Sequence, residues 1–142
     1  MPKRIAAALL LAIAAMTHPA RAQRFMFTGV TDSEVLTFFG KFQKAVVSND
    51  RKTVVSMVNY PLRVNERGGR HQMIASSAEL MRQYDAVFTP TIRQAVSVEK
   101  PAKLSAGRDG AAIGAGLVWM TGACDKRRPP KCTLGVVSVN HM

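Results

Sequence analysis

Acidic residues are scarce in this chain: 142 residues hold nine Asp and Glu against twenty Lys and Arg, a formal net charge of +11 at pH 7. That balance favours anionic company, whether a lipid headgroup, a polyanionic envelope polymer, an acidic protein or nucleic acid. Aromatics are also few, at 6%, and the most basic stretch, Lys126-Arg127-Arg128-Pro129-Pro130-Lys131, contains none. Proteins that stack on bases interleave rings with their cations, so nucleic acid ranks last among these partners. Cysteine occurs only twice, at Cys124 and Cys132. A structural zinc would need two further ligands, and beyond residue 22 the only histidines are His71 and His141, so no metal is expected. Gly114-x-Gly116 is not followed by a helix and makes no nucleotide cradle, and no cofactor is expected.

Long apolar runs are missing too. The longest, Ile5 to Met16, has 12 residues, well short of the roughly 20 that span a bilayer. It follows a short cationic start, Lys3-Arg4, and precedes Ala20-Arg21-Ala22, a small-x-small cleavage pattern. Residues 1–22 therefore read as a removable export signal, with the mature chain starting at Gln23, no membrane span left after removal, and a periplasmic or secreted location. Without Lys3, Arg4 and Arg21 the basic count falls from 20 to 17 against 9 acidic residues, a net charge of +8. The remaining 120 residues suit one domain: residues 23–30 as a flexible arm and 31–140 as the fold. Two cysteines in an exported chain are expected to pair as a disulfide.

Thr31-Asp-Ser-Glu34 is a capping box, and Val35, Phe38, Phe39, Phe42 and Val46 after it recur at helical spacing. Asp50 caps a second short helix carrying Val54, Val55 and Val58. Tyr60-Pro61 stops that helix; Leu62 and Val64 then alternate with Arg63 and Asn65, and Gly68-Gly69 turns the chain into a β-hairpin. Ser76 to Glu79 is a second capping box, opening a helix whose Leu80, Met81, Tyr84, Val87 and Phe88 form one face. Thr89-Pro90 caps a single further helical turn, and from Ala95 the pattern reads as strand. Asp109-Gly110 marks a turn; residues 111–121 read as one strand bent at Gly114 and Gly116, and residues 134–140 as the last. Helices first and antiparallel strands after give an α+β fold.

This order, with Tyr60-Pro-Leu-Arg-Val-Asn65, Tyr84-Asp-Ala-Val-Phe-Thr-Pro90 and Gly114-Ala-Gly-Leu-Val-Trp119, resembles the NTF2-like superfamily, most of all its small exported bacterial members. The resemblance implies helices packed on a strongly curved antiparallel sheet, a cone with an open pocket, and a homodimer through the outer sheet face. It also implies either an enzyme, such as an isomerase or dehydratase, or a non-catalytic binding module. Enzymes of this kind place proton-moving groups inside the cone, whereas residues 111–121 and 133–140 contain no ionisable side chain.

Pocket candidates are Tyr60, Arg63, Tyr84, Asp85 and Trp119. Arg63 either faces the cone as a partner for an anionic group or lies in solvent opposite Leu62 and Val64. Tyr60 and Tyr84 either present hydroxyls at the pocket mouth or pack in the core, and Trp119 fills the cone or forms the dimer surface. Asp85 is a general base or a surface partner for Arg82, and His71 is exposed. The leading expectation is an exported cell-envelope binding protein without catalysis, taking a small apolar or anionic ligand in the pocket, or an acidic protein or anionic polymer on its basic surface. The basic surface is the loop of Lys126, Arg127, Arg128 and Lys131, pre-ordered by a Cys124–Cys132 bond. The alternatives are a small isomerase, dehydratase or hydrolase using Tyr60, Tyr84 and Asp85, and an inhibitor or immunity-type partner of an acidic exported protein.

Overall fold

The computed structural model describes residues 23–25, 27 and 29–142, and the export-signal reading of residues 1–22 lies outside them. Thr31 starts α1 (Asp32–Val47) through the expected capping box: its hydroxyl accepts from the Glu34 N–H, and the Glu34 carboxylate accepts from the Thr31 N–H at 2.7 Å. Val35, Phe39, Phe42, Ala45 and Val46 form the buried stripe, with Phe38 half-buried at its margin. Asp50 caps α2 (Arg51–Ser56). The hairpin of β1 (Val58–Asn65) and β2 (His71–Ile74) turns at Gly68 and Gly69, both at positive φ. Extended chain already begins at Val58, ahead of Pro61. The pairing of β1 with its neighbour slips between Val58 and Arg63, a stretch that contains Pro61, which has no N–H to give a ladder.

The helix expected after Ser76 is two pieces, α3 (Ser77–Arg82) and α4 (Tyr84–Val87), which still bury Leu80, Tyr84 and Val87 on one side. Ser76 caps Glu79, but the Glu79 carboxylate reaches the N–H of Ala75 rather than that of Ser76.

Two strand expectations are corrected. Val96 and Val98 belong to a nine-residue helix, α5 (Pro90–Val98), and not to a strand. Ile92 and Val96, four residues apart, are buried while Val98 is 62% exposed, the helical pattern. The Gln43 amide of α1 holds the far end of α5, donating to the carbonyls of Val96, Ser97 and Glu99 at 3.0, 3.3 and 2.8 Å. Residues 111–121, read as one bent strand, are instead two: β4 (Gly110–Ile113) and β5 (Val118–Cys124). The chain reverses at Gly114, Ala115 and Gly116, all at positive φ, and the Glu99 carboxylate accepts the Gly114 N–H. Two glycines in three residues make such a reversal accessible.

The remaining strands are β3 (Ser105–Gly107) and β6 (Cys132–Asn140). The sheet runs β2-β1-β6-β5-β4-β3. Four of its pairings are antiparallel, but β1 and β6 run parallel, so the sheet is mixed where an antiparallel one was expected. The long excursion from β1 to β6 through α3 to α5 and β2 to β5 supplies the crossover a parallel pair requires. Helical Phe39, Phe42, Leu80 and Ile92, and Phe88 at the end of α4, share one core with Leu62, Val64, Met120, Val136 and Val139 of the sheet. Helices plus a six-stranded mixed sheet make an α+β fold.

Residues 23–30, read as a flexible arm, are packed at Phe25, Phe27 and Val30, all buried. The Asp32 carboxylate accepts the N–H groups of Arg24 and Phe25, and the Arg24 guanidinium donates to the carbonyls of Pro101, Ala102 and Leu104. Gly29 passes so close to the Cys132 sulfur that any Cβ there would collide with it.

Candidate functional site

The five pocket candidates do not converge. A single register row crosses all six strands, Met73–Arg63–Ser138–Trp119–Ala112–Ser105. Arg63 and Trp119 therefore lie on the sheet face turned away from the helices, since their neighbours Leu62, Val64, Val118 and Met120 are fully buried on the other. Arg63 is exposed, with Nε donating to Asn65 at 2.7 Å; Trp119 is half-buried. The bulge in β6 falls beside this row: Trp119 pairs with Ser138 but Met120 with Val136, so Val137 is the extra residue.

Tyr60 and Tyr84 sit on the helix side. The Tyr60 hydroxyl donates to the Val55 carbonyl at 2.7 Å. Tyr84 is 1% exposed and packs its ring at a tilt against Phe88, with its hydroxyl lacking a hydrogen-bond partner among the described residues. Burial pushes both phenols above the ordinary tyrosine range; for Tyr84 the Arg51 charge beside it works against that rise.

Asp85 is not paired with Arg82, as the sequence suggested. Its carboxylate takes a two-pronged contact from Arg51, at 2.9 and 3.0 Å, and a third from Arg93 at 3.2 Å. Arg51 also lies over the Tyr84 ring, 4.7 Å from its centre. These contacts tie α2, α4 and α5 together at the surface, where the Asp85 side chain is 63% exposed. Both of its oxygens are engaged by guanidinium groups, which is the geometry of a tie rather than of a base aimed into a cavity. No spacing rule connects Asp85 to residues 34 positions before and 8 after it, so this cluster was not visible in the sequence. His71 is exposed on β2, as expected.

The basic loop is the better-built element. Cys124 and Cys132 face each other in the β5–β6 register and are bonded. Between them, the Asp125 N–H donates to the Lys131 carbonyl, and the Asp125 carboxylate accepts the N–H groups of Arg127 and Lys131 at 3.1 and 3.0 Å. Its second oxygen meets Arg127 Nε at 3.0 Å. Lys126, Arg128 and Lys131 are exposed and have no ion-pair partner among the described residues. Residues 125–131 thus carry four cations against one anion on a backbone pinned at both ends and in the middle. The role of Asp125 went unread, although an Asp followed two residues later by an acceptable N–H is an Asx-turn signal.

Among the described residues no cluster of His, Cys, Asp and Glu is arranged to hold a metal ion, and no helix is long and apolar enough to cross a membrane. No family model, curated protein or solved structure matches the chain.

Proposed function

We propose that this protein is a non-catalytic binding protein of the cell envelope, recognising an acidic protein surface or anionic polymer through residues 125–131. The observation that carries this reading is the pinning of that cationic hairpin by Asp125 and the Cys124–Cys132 bond. A loop already ordered loses little conformational entropy on binding, so more of its electrostatic attraction becomes affinity. The disulfide is compatible with an exported location. On the same reading the chain is a small exported NTF2-like protein. Helices on one face of an open sheet support that assignment. The register slips between Val58 and Arg63 and between Trp119 and Met120 support a curved sheet, since bulges bend strands.

The test is binding of fluorescent poly-L-glutamate by three forms: wild type, Arg128→Glu/Lys131→Glu, and Lys41→Glu/Lys44→Glu. The last pair makes the same charge change on exposed positions of α1. The hairpin pair is expected to lose about tenfold in affinity or more, and the α1 pair much less. Equal losses would reduce the effect to net charge and sink the hairpin reading.

A further inference from the structure

A cleft of about 440 Å³ opens at the other end of β6, between the β1–β2 turn, the start of α5 and the residues following β6. It falls within the roughly 300 to 1,000 Å³ typical of small-molecule sites. The nine residues of β6 put it about 25 Å along the strand from the cationic hairpin, so it is a separate place.

Two guanidiniums, Arg67 and Arg70, line this cleft together with the Glu66 carboxylate and the main-chain oxygens of Met142. Arg67 donates through Nε to a main-chain oxygen of Met142 at 2.8 Å, which fixes its arm and leaves both terminal nitrogens without a partner among the described residues. Arg70 is 83% exposed and makes an ion pair with Glu66 at 3.6 Å, a contact longer than a hydrogen bond. Each therefore keeps N–H donors that no hydrogen bond among the described residues uses, open to an incoming anion. The start of α5 adds a main-chain donor. Pro90 has no N–H and the Ile92 N–H is capped by the Thr89 hydroxyl, but the N–H of Thr91 has no partner among the described residues. Ile92 and Leu117 supply an apolar wall.

The frame behind these groups is tied down. His141 Nε2 lies 2.9 Å from the Val87 carbonyl, and its main-chain N–H donates to Asn65. Asn140 accepts from the Asn65 amide and donates to the Gly116 carbonyl. A site whose walls are held by such contacts changes little on binding.

We infer that this cleft binds a small organic anion, a carboxylate with a compact apolar body. Arg67, Arg70 and the Thr91 N–H receive the charge, and Ile92 and Leu117 receive the body. Two guanidiniums and a helix-start donor suit a carboxylate, and the apolar wall discriminates against acetate-sized ions that cannot reach across it.

The test is a titration of the isotope-labelled protein with benzoate, acetate and benzamide, followed by amide resonances. Benzoate is expected to give saturable shifts at Arg70, Thr91 and His141, binding about tenfold or more tightly than either acetate, which lacks the ring, or benzamide, which lacks the charge. Arg70→Glu, at a position exposed enough to leave the fold intact, should weaken benzoate by at least about fivefold. No saturable shift, equal binding of benzamide, a smaller loss in the variant, or shifts confined to residues 125–131 would each overturn the inference. The poly-L-glutamate assay reads the other end of β6, so the two proposals fail separately.

Discussion

Tyr84 has a ring that the core needs and a hydroxyl that it does not satisfy. The ring is 1% exposed against Phe88, and the hydroxyl has no partner among the described residues. Leaving a buried polar group unpaired costs about 1 to 3 kcal/mol. Tyr84→Phe should therefore raise stability by about 1 kcal/mol, and Tyr84→Ala should lower it by about 3 to 5 kcal/mol. Urea unfolding checks both, and a clear loss in the Phe variant would reveal a hydrogen-bond partner for the hydroxyl. The same residue carries an alkaline signature. Burial raises the folded-state pKa of Tyr84 and, to the same sign, of Tyr60. The folded protein keeps protons that the unfolded chain releases at the ordinary tyrosine pKa near 10. Stability is thus full below that pH and falls as pH rises through it. Tyr84→Phe should flatten part of this fall, leaving the share due to Tyr60. At single positions the sequence was legible in type but not in partner. Tyr84 on an apolar helical face is equally the mark of a core ring and of a pocket hydroxyl. Asp85 could be assigned Arg82 only because Arg51 and Arg93 are brought to it by the packing of three helices.

Contacts between α1 and its neighbours decide two elements. The α5 helix ends on the Gln43 amide, which holds the carbonyls of Val96, Ser97 and Glu99. Gln43→Met keeps the length of the side chain but removes these donors, so it should lower stability by about 1 to 2 kcal/mol. Faster hydrogen exchange in the last turn of α5 should accompany that loss, and unchanged exchange there would show that the helix end stands without its cap. This dependence also explains the misreading of residues 95–98. Val96 and Val98 alternate as in a strand, and only a helix packed on α1 makes Val96 buried and Val98 exposed. By contrast, the capping box at Thr31, the Ser76 and Asp50 caps and the Gly68-Gly69 turn were legible because their chemistry is local. At the start of α1, main-chain N–H groups of Arg24 and Phe25 hold the Asp32 carboxylate below its ordinary pKa, and the Thr31 N–H and hydroxyl do the same for Glu34. Depressed values mean that this support is present above the usual carboxylate range and is lost as pH falls through the lower, folded-state values. Exchange of the Phe25 amide should accordingly speed up in acid, well before the core amides. Simultaneous loss of both would mean that residues 23–25 contribute to the global unfolding unit.

Taken as a whole, the protein holds its most strongly cationic loop at the end of the central β5–β6 pair, and the disulfide at the base of that loop serves two separable purposes. Closing a loop of this length restricts the unfolded chain, so Cys124→Ser/Cys132→Ser should lower stability by about 2 to 3 kcal/mol, a figure that depends on the chain-entropy model. The Asp125 contacts to Arg127 and Lys131 do not involve the sulfurs, so the loop should loosen rather than dissolve. Binding of poly-L-glutamate should then weaken by only about three- to tenfold, while Asp125→Ala in the oxidised protein should weaken it although the cation count is unchanged and one anion has gone. That last variant separates the two explanations of the hairpin. If bare charge governs binding, removing Asp125 makes the loop more cationic and affinity must rise; if order governs it, affinity must fall. Salt sharpens the comparison, because screening acts on charge and leaves loop entropy alone. Raising ionic strength should reduce the affinities of wild type and Asp125→Ala by similar factors, preserving the gap between them. A gap that closes with salt would assign the difference to electrostatics and leave the order of the loop without a part in binding.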